Sequence, residues 1–326
     1  MKISILGGGG FLGRKIAVKL ALDGTLGDKP VTALTLFDMA GPQKPEAPFP
    51  VTSISGDIVS LPDEAIPRGT DVVFHLAAVV SAQAEADYDL GRRVNIRGTD
   101  AVVDRCRALG TRPRVVFTSS VASFSASQKD VLPDNTRQIP GNSYGAQKAA
   151  AELILADASR RGFLDAVTLR LPTVIVRPGR PNKAASSFFS GIVREPLLGL
   201  GSELPVPDDF AVWVCSPRRA VDWLLHAAVL DTSNMGLDRS IDPPGISTTV
   251  AHLLQALEVV APGASSHVKR VADETIAAIV STWPPAFEAL RARTLGFSAH
   301  EPVLEIIRAF VEDDLAATKT DRETIR

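Results

Sequence analysis

"ILGGGGFLGRKIAVKL", residues 5 to 20, sets four consecutive glycines between a short apolar run and a helix-like pattern. Glycine loses more conformational freedom on folding than any other residue, so a glycine run at such a junction needs a compensating use. A flexible linker or an interrupted secretory signal would be the simplest explanation. The apolar stretch Ile3, Ser4, Ile5, Leu6 is too short for a signal core, which needs roughly 7 to 15 apolar residues. The pattern instead predicts a tight strand-to-helix turn with three separate duties. Gly7 turns the chain, Gly10 lets the backbone approach a pyrophosphate, and Gly13 lets the helix pack against its strand. Phe11 and Leu12 open the helix, whose free N–H groups would face the phosphates.

The rest of the chain supplies the context such a turn requires. Short apolar or β-branched runs near 2–6, 31–37, 51–55, 71–76, 114–119, 166–171 and 238–242 alternate with helical patterns, notably 11–22, 88–109, 142–161 and 217–230. That alternation predicts an α/β fold, a Rossmann-type doubly wound parallel sheet with right-handed crossovers. "GPQKPEAPFP", residues 41 to 50, holds four prolines in ten residues and is expected to be a surface loop. From about residue 177 the alternation becomes irregular. The division expected is a dinucleotide-binding domain over 1–176, rejoined by 211–243, with 177–326 mainly a smaller substrate-binding lobe.

With 326 residues and 45% hydrophobic side chains, the chain can bury a large core. A net charge of −2 argues against a nucleic-acid or membrane-surface role. No apolar run approaches a membrane span. Cys106 and Cys215 form no CxxC pair, so neither a disulfide framework nor a zinc site is expected and no metal is called for. A reducing cytoplasm is the compartment expected.

Asp38, at the end of "LTLFD", stands 25 residues after Gly13, where a carboxylate accepts both hydroxyls of an adenosine ribose. Met39, Ala40 and Gly41 follow it, so no arginine is at hand for a 2′-phosphate, and NAD is favoured over NADP. Turn capping would also account for an aspartate there. Asp57 in "SGDI", with Ile58 beside it, is placed to receive the adenine amino group. Leu76, Ala77 and Ala78 in "HLAA" let a cofactor lie close to the backbone. His75 is expected to be a packed core residue.

Chemistry enters with "FTSS", residues 117 to 120, and "NSYGAQKAAAEL", residues 142 to 153. Tyr144 and Lys148, four apart on a helix, share one face. A phenol with an ordinary pKa near 10 becomes a usable base when a positive charge favours its phenolate. Ser120, at a strand end beside Ser119, can orient the reacting oxygen, and Lys148 can hold a ribose.

Together "GGGGFLG", "FDMA", "HLAA", "FTSSVASF" and "YGAQK" resemble the extended short-chain dehydrogenase/reductase superfamily, of the NAD-dependent epimerase/dehydratase type, over about the first 180 residues. The resemblance implies that Tyr144 is the proton acceptor, that Lys148 lowers its pKa and binds ribose, and that Ser120 polarises the substrate. Asn95, in "RRVNIRGT", matches the family's helix asparagine near the site, and Pro172 falls among the cofactor-binding positions. Phe124 and Ser125 depart from the tyrosine and glycine that often follow the serines. Residues 169 to 198, "LRLPTVIVRPGRPNKAASSFFSGIVREPLL", resemble a narrower group, the D-erythronate dehydrogenases. That implies NAD-dependent oxidation of a four-carbon sugar acid at C2.

A small anion is also suggested physically. Asn182, Lys183 and Ser186 are expected at a helix start, where the dipole favours a carboxylate, with Arg194 reaching in from further along. Ser81 and Thr173 supply hydroxyls for a polyol. Helix capping by Asn182 and Ser186 is the plainer explanation for those two. Arg177 and Arg180, in "VRPGRP", could equally fix their loop. A sugar-nucleotide epimerase or dehydratase that retains its NAD would use the same tools. A non-catalytic dinucleotide sensor would not need Ser120, Tyr144 and Lys148 intact. By resemblance a homodimer through helices 88–109 and 142–161 is expected.

Overall fold

The computed structural model describes residues 1–182, 184–298 and 302–323. Its centre is a seven-stranded parallel sheet. The strands are β1 (Lys2–Leu6), β2 (Ala33–Asp38), β3 (Val51–Ser55), β4 (Val72–His75), β5 (Arg114–Ser120), β6 (Asp165–Leu171) and a late strand, Ser240–Ile241. In space the late strand lies beside β6, followed by β5, β4, β1, β2 and β3. The chain therefore builds outward from β1 to β3 and then returns to the other side of β1 with β4. That reversal opens a crevice at the carboxyl ends of β1 and β4, where this architecture binds ligands.

Alternation along the strands sends successive side chains to opposite faces. Ile3, Ile5, Leu36, Phe74, Val116 and Val167 pack on one side against Ile16 and Leu20 of α1 (Phe11–Asp23) and against Trp223 and Leu224 of Pro217–Val229. Leu6, Phe37, Val73, Val115 and Phe117 pack on the other against Val102 and Cys106 of α2 (Gly98–Leu109) and Ala151 and Leu155 of α3 (Ser143–Arg160). Because both faces are covered, the strands read as nearly continuous apolar runs. Each such buried Ile, Leu or Phe contributes about 1.5–3 kcal/mol. The stretch expected to be one helix over 88–109 has an α-helical start, Tyr88–Arg92, then a π-helical turn, Arg93–Arg97, and then α2.

A second apolar core lies beyond the carboxyl end of the sheet. It joins Phe124, Ile175 and Val176 to Phe189, Ile192 and Val193 of α4 (Ser187–Leu197), Trp213, Leu253 and Leu257, and Ile306, Ile307 and Phe310. A small sheet threads it, with Ala211–Cys215 paired to Thr173–Val174 on one side and Ile246–Thr249 on the other. The 41–50 segment has no regular structure, and its Phe49 is tucked into the first core.

Candidate active site

Gly7 adopts φ 91°, and its amide and that of Gly8 both donate to the Phe37 carbonyl, at 2.8 and 3.0 Å. A Cβ on Gly7 would meet the Ala77 nitrogen at 2.8 Å, and one on Gly13 would collide with the Gly7 carbonyl oxygen. Both glycines are thus required for close approach. Gly10 precedes α1 with no side-chain cap on the helix, leaving its first N–H donors for a ligand. Asp38 accepts from the Gly9 amide at 2.9 Å and the Met39 amide at 2.7 Å, one bond to each carboxylate oxygen. Asp38 also lines the adjoining cavity. Gly9 was not singled out in the sequence, although it is the residue that orients Asp38.

Two adjoining cavities form the cleft. The first, of about 710 Å³, is lined by Gly7, Gly10, Asp38, Asp57, Ile58 and the Leu76–Ala78 turn, with Met39 and Arg93 added. The second, of about 480 Å³, is lined by Phe11, Leu12, Gly13, Ser119, Ser120, Tyr144, Lys148, Pro172, Arg177 and Asn182. Size, glycine cradle and carboxylate together fit a dinucleotide, whose adenosine half would lie in the first and whose other half would reach the second. Asp57 is held by the Arg93 guanidinium at 2.5 Å and the Val59 amide at 3.0 Å, which keep its carboxyl below the usual range. Asn95 lines neither cavity. It is buried in the π-helical turn, accepts from the Val79 amide at 2.8 Å and donates to the Val79 carbonyl and to Gln147 Oε1, at 3.1 and 2.7 Å. Its place is behind the β4 turn, which it fixes.

Asn142 caps α3, its Oδ1 accepting from the Gly145 amide at 2.8 Å, and Gly145 allows the helix to pass the Ala122 carbonyl. This presents Tyr144 and Lys148 to the end of β5. Ser120 Oγ accepts from the Ala122 amide at 3.1 Å, which leaves its O–H to donate. Lys148 Nζ donates to the Thr118 carbonyl at 2.7 Å and lies 4.5 Å from the Phe117 ring centre. Burial pulls its pKa down to about 7, against the pull of Glu152. Burial pushes the Tyr144 phenol up to about 12, while the Arg177 charge and a hydrogen bond with Ser120 act downward. The Arg177 charge acts on the phenol, and the Lys148 ammonium stands 5.7 Å from the Tyr144 ring centre. His75 is a packed residue, bonded through Nε2 to Thr99 Oγ1 at 3.0 Å and driven by burial down to about 3.

The expected acid clamp is rearranged. The helix α4 starts at Ser187, so Asn182 does not stand at its N-terminus. Its Oδ1 instead accepts from the Ala184 amide at 3.0 Å, a local turn, although Asn182 still lines the cleft. Lys183 lies outside the described residues. Ser186 Oγ accepts from Arg177 Nη2 at 3.0 Å, and Ser81 Oγ accepts from the Ala185 amide at 3.0 Å. Thr173 faces a separate small cavity with Phe189, Trp213 and Trp283. Arg194 is 1% exposed and turned away, its guanidinium on Glu195 at 2.7 Å, where Arg322 adds a second cation at 2.8 Å. None of these four lines the cleft. Among the described residues no group of His, Cys, Asp or Glu is arranged to hold a metal ion, and no helix is long and apolar enough to cross a membrane.

Residues 3–214 match the model of the NAD dependent epimerase/dehydratase family. The chain belongs to that family. As a member of the NAD dependent epimerase/dehydratase family it uses NAD, for which the cleft has the glycine cradle and Asp38. It is 46% identical over 320 residues to a D-erythronate dehydrogenase of Cupriavidus necator, covering 96% of this chain and 98% of that one. A D-erythronate dehydrogenase of Haemophilus influenzae is 37% identical over 319 residues, covering 97% and 100%. A crystal structure described as a nucleoside-diphosphate-sugar epimerase from Agrobacterium tumefaciens superposes with a TM-score of 0.90 at 44% identity, covering 98% and 96%.

Proposed function

We propose that this family member oxidises a short sugar acid, D-erythronate or a close 2-hydroxy acid, at C2 to the 2-keto acid with NAD. The observation that carries the reading is the convergence of Ser120, Tyr144, Lys148 and Arg177 on one cavity adjoining the dinucleotide cleft. The near full-length likeness to two D-erythronate dehydrogenases supports it. NAD, when bound, supplies the acceptor for the hydride leaving C2. Ser120 Oγ donates a hydrogen bond to the C2 oxygen and holds it against Tyr144. Tyr144 Oη takes the hydroxyl proton, a transfer that needs the phenol's pKa brought down from about 12 by the Lys148 ammonium and by the positive charge that NAD would bring. Lys148 orients the cofactor ribose, and Asp38 receives the adenosine ribose hydroxyls.

In this reading residues 1–176 with 211–243 carry the cofactor, and the remainder of 177–326 covers the substrate. A homodimer through α2 and α3 is part of the proposal, supported by Leu153, 71% exposed on α3. So is a cytoplasmic setting, supported by two buried free thiols, Cys106 and Cys215.

The description of the Agrobacterium structure favours a second reading, epimerisation of a nucleotide sugar with NAD retained. One assay separates them. With added NAD, the dehydrogenase reading expects net NADH from D-erythronate. In Tyr144→Phe the rate should fall by at least about 10²-fold, the lower range for a lost general base, while NAD still binds. Isomer change in UDP- or GDP-sugars without net NADH would overturn it.

A further inference from the structure

We propose that Arg177 is the anchor for the substrate carboxylate, and that this anchor selects C2 of a short 2-hydroxy acid as the reacting carbon. The inference rests on the 2-hydroxy-acid reading above. In such an acid the carboxylate and the reacting oxygen sit on neighbouring carbons. Whatever cation binds the carboxylate must therefore stand beside the hydroxyls that hold the C2 oxygen. Arg14 lines both cavities from the start of α1, at the phosphate end. The Lys148 ammonium donates to the Thr118 carbonyl and, in this reading, serves the cofactor ribose. Arg180 is exposed at the rim. Arg177 lines the same cavity as Ser120 and Tyr144, the hydroxyls that would hold the C2 oxygen.

Arg177 is also built to serve. Its Nε donates to the Val174 carbonyl at 3.0 Å and its Nη2 to Ser186 Oγ at 3.0 Å. Its amide donates to Ser190 Oγ at 3.1 Å, and its carbonyl accepts from Arg194 Nη1 at 2.8 Å. Backbone and side chain are thus both fixed, while Nη1 has no hydrogen-bond partner among the described residues. Nor does any carboxylate there pair with this half-buried guanidinium, although burial already disfavours its charge. A cation held in that state lacks an anion, and a planar fork with free donors suits a carboxylate. The expected clamp residues Ser186 and Arg194 then act from behind, by placing Arg177.

The test compares D-erythronate with D-erythronamide, the same skeleton without the charge, in wild type and Arg177→Gln. The wild-type preference for the acid, as a ratio of kcat/KM values, should shrink by roughly 10- to 150-fold in the variant, the discrimination a charged hydrogen bond provides. KM should rise for the acid alone, any loss in kcat through the Tyr144 phenol should fall on both compounds and cancel in the ratio, and NAD affinity, read by fluorescence titration, should stay within about twofold. An unchanged ratio overturns the proposal. So does an unchanged ratio with weakened NAD binding, which would make Arg177 a phosphate ligand. Wild type that ignores both compounds would overturn the function reading itself, and the anchor with it. Should Arg177→Gln not fold, a crystal structure of Tyr144→Phe with NAD and D-erythronate decides: carboxylate on Arg177 is expected, and carboxylate elsewhere refutes.

Discussion

At the scale of single residues the site depends on groups whose protonation burial has reset. His75 titrates near 3 in the folded chain but near 6.5 when unfolded, so between those values the unfolded state binds the extra proton. Stability from this residue is present above pH 6.5 and is lost as pH falls towards 3, by up to about 1.4 kcal/mol per pH unit. His75→Gln removes that proton. Thermal melts between pH 7 and 4 should show wild type losing stability faster than His75→Gln; parallel losses would contradict the assignment. The candidate catalytic residues could be picked out because Tyr144 and Lys148 lie one helical turn apart and Ser120 ends a strand, and the family resemblance supplied their roles. Arg177 was not, since a charge in "VRPGR" has no periodicity and its partners Val174, Ser186, Ser190 and Arg194 are recruited only by folding.

At the scale of elements, the π-helical turn Arg93–Arg97 swings Asn95 behind the β4 turn, where its amide holds both polar groups of Val79. π-turns are uncommon and tend to sit at functional sites. Asn95→Ala would leave the Val79 groups and Gln147 short of partners, at roughly 1–3 kcal/mol for each one stranded. A lower melting temperature and weaker NAD binding should appear together in calorimetry and titration; weakening of NAD binding alone would point to direct contact instead. The inner strands and the helices around them were readable because those strands are buried on both faces, whereas the edge strand Val51–Ser55 is only partly covered. Ser186 does stand at the start of α4, but Asn182 was misplaced there because an asparagine makes the same backbone bond in a turn as in a cap, as Asn182 does with Ala184. Thr173–Val174 and Ile246–Thr249 are too short and too polar to stand out as strands.

Across the whole molecule, the C-terminal helix Leu315–Glu323 reaches back to the site. Arg322 shares Glu195 with Arg194, and Arg194 holds the Arg177 carbonyl. This chain of contacts was hidden in the sequence, since Arg194 beside Glu195 looks like ordinary surface charge and Arg322 lies 127 positions further on. Removing one cation from a buried carboxylate shared by two should loosen the 177–198 segment without touching the dinucleotide cleft. Arg322→Ala is therefore expected to raise KM for the acid several-fold while NAD affinity holds. Equal loss of both would mean that the helix supports the fold at large.

The same brace sets an order of events during synthesis. The glycine cradle and Asp38 leave the ribosome before Tyr144 and Lys148, and Arg322 follows Lys148 by roughly 10 to 35 s at ordinary elongation rates. A growing chain thus carries its nucleotide cradle well before Leu315–Glu323 can brace the proposed acid anchor.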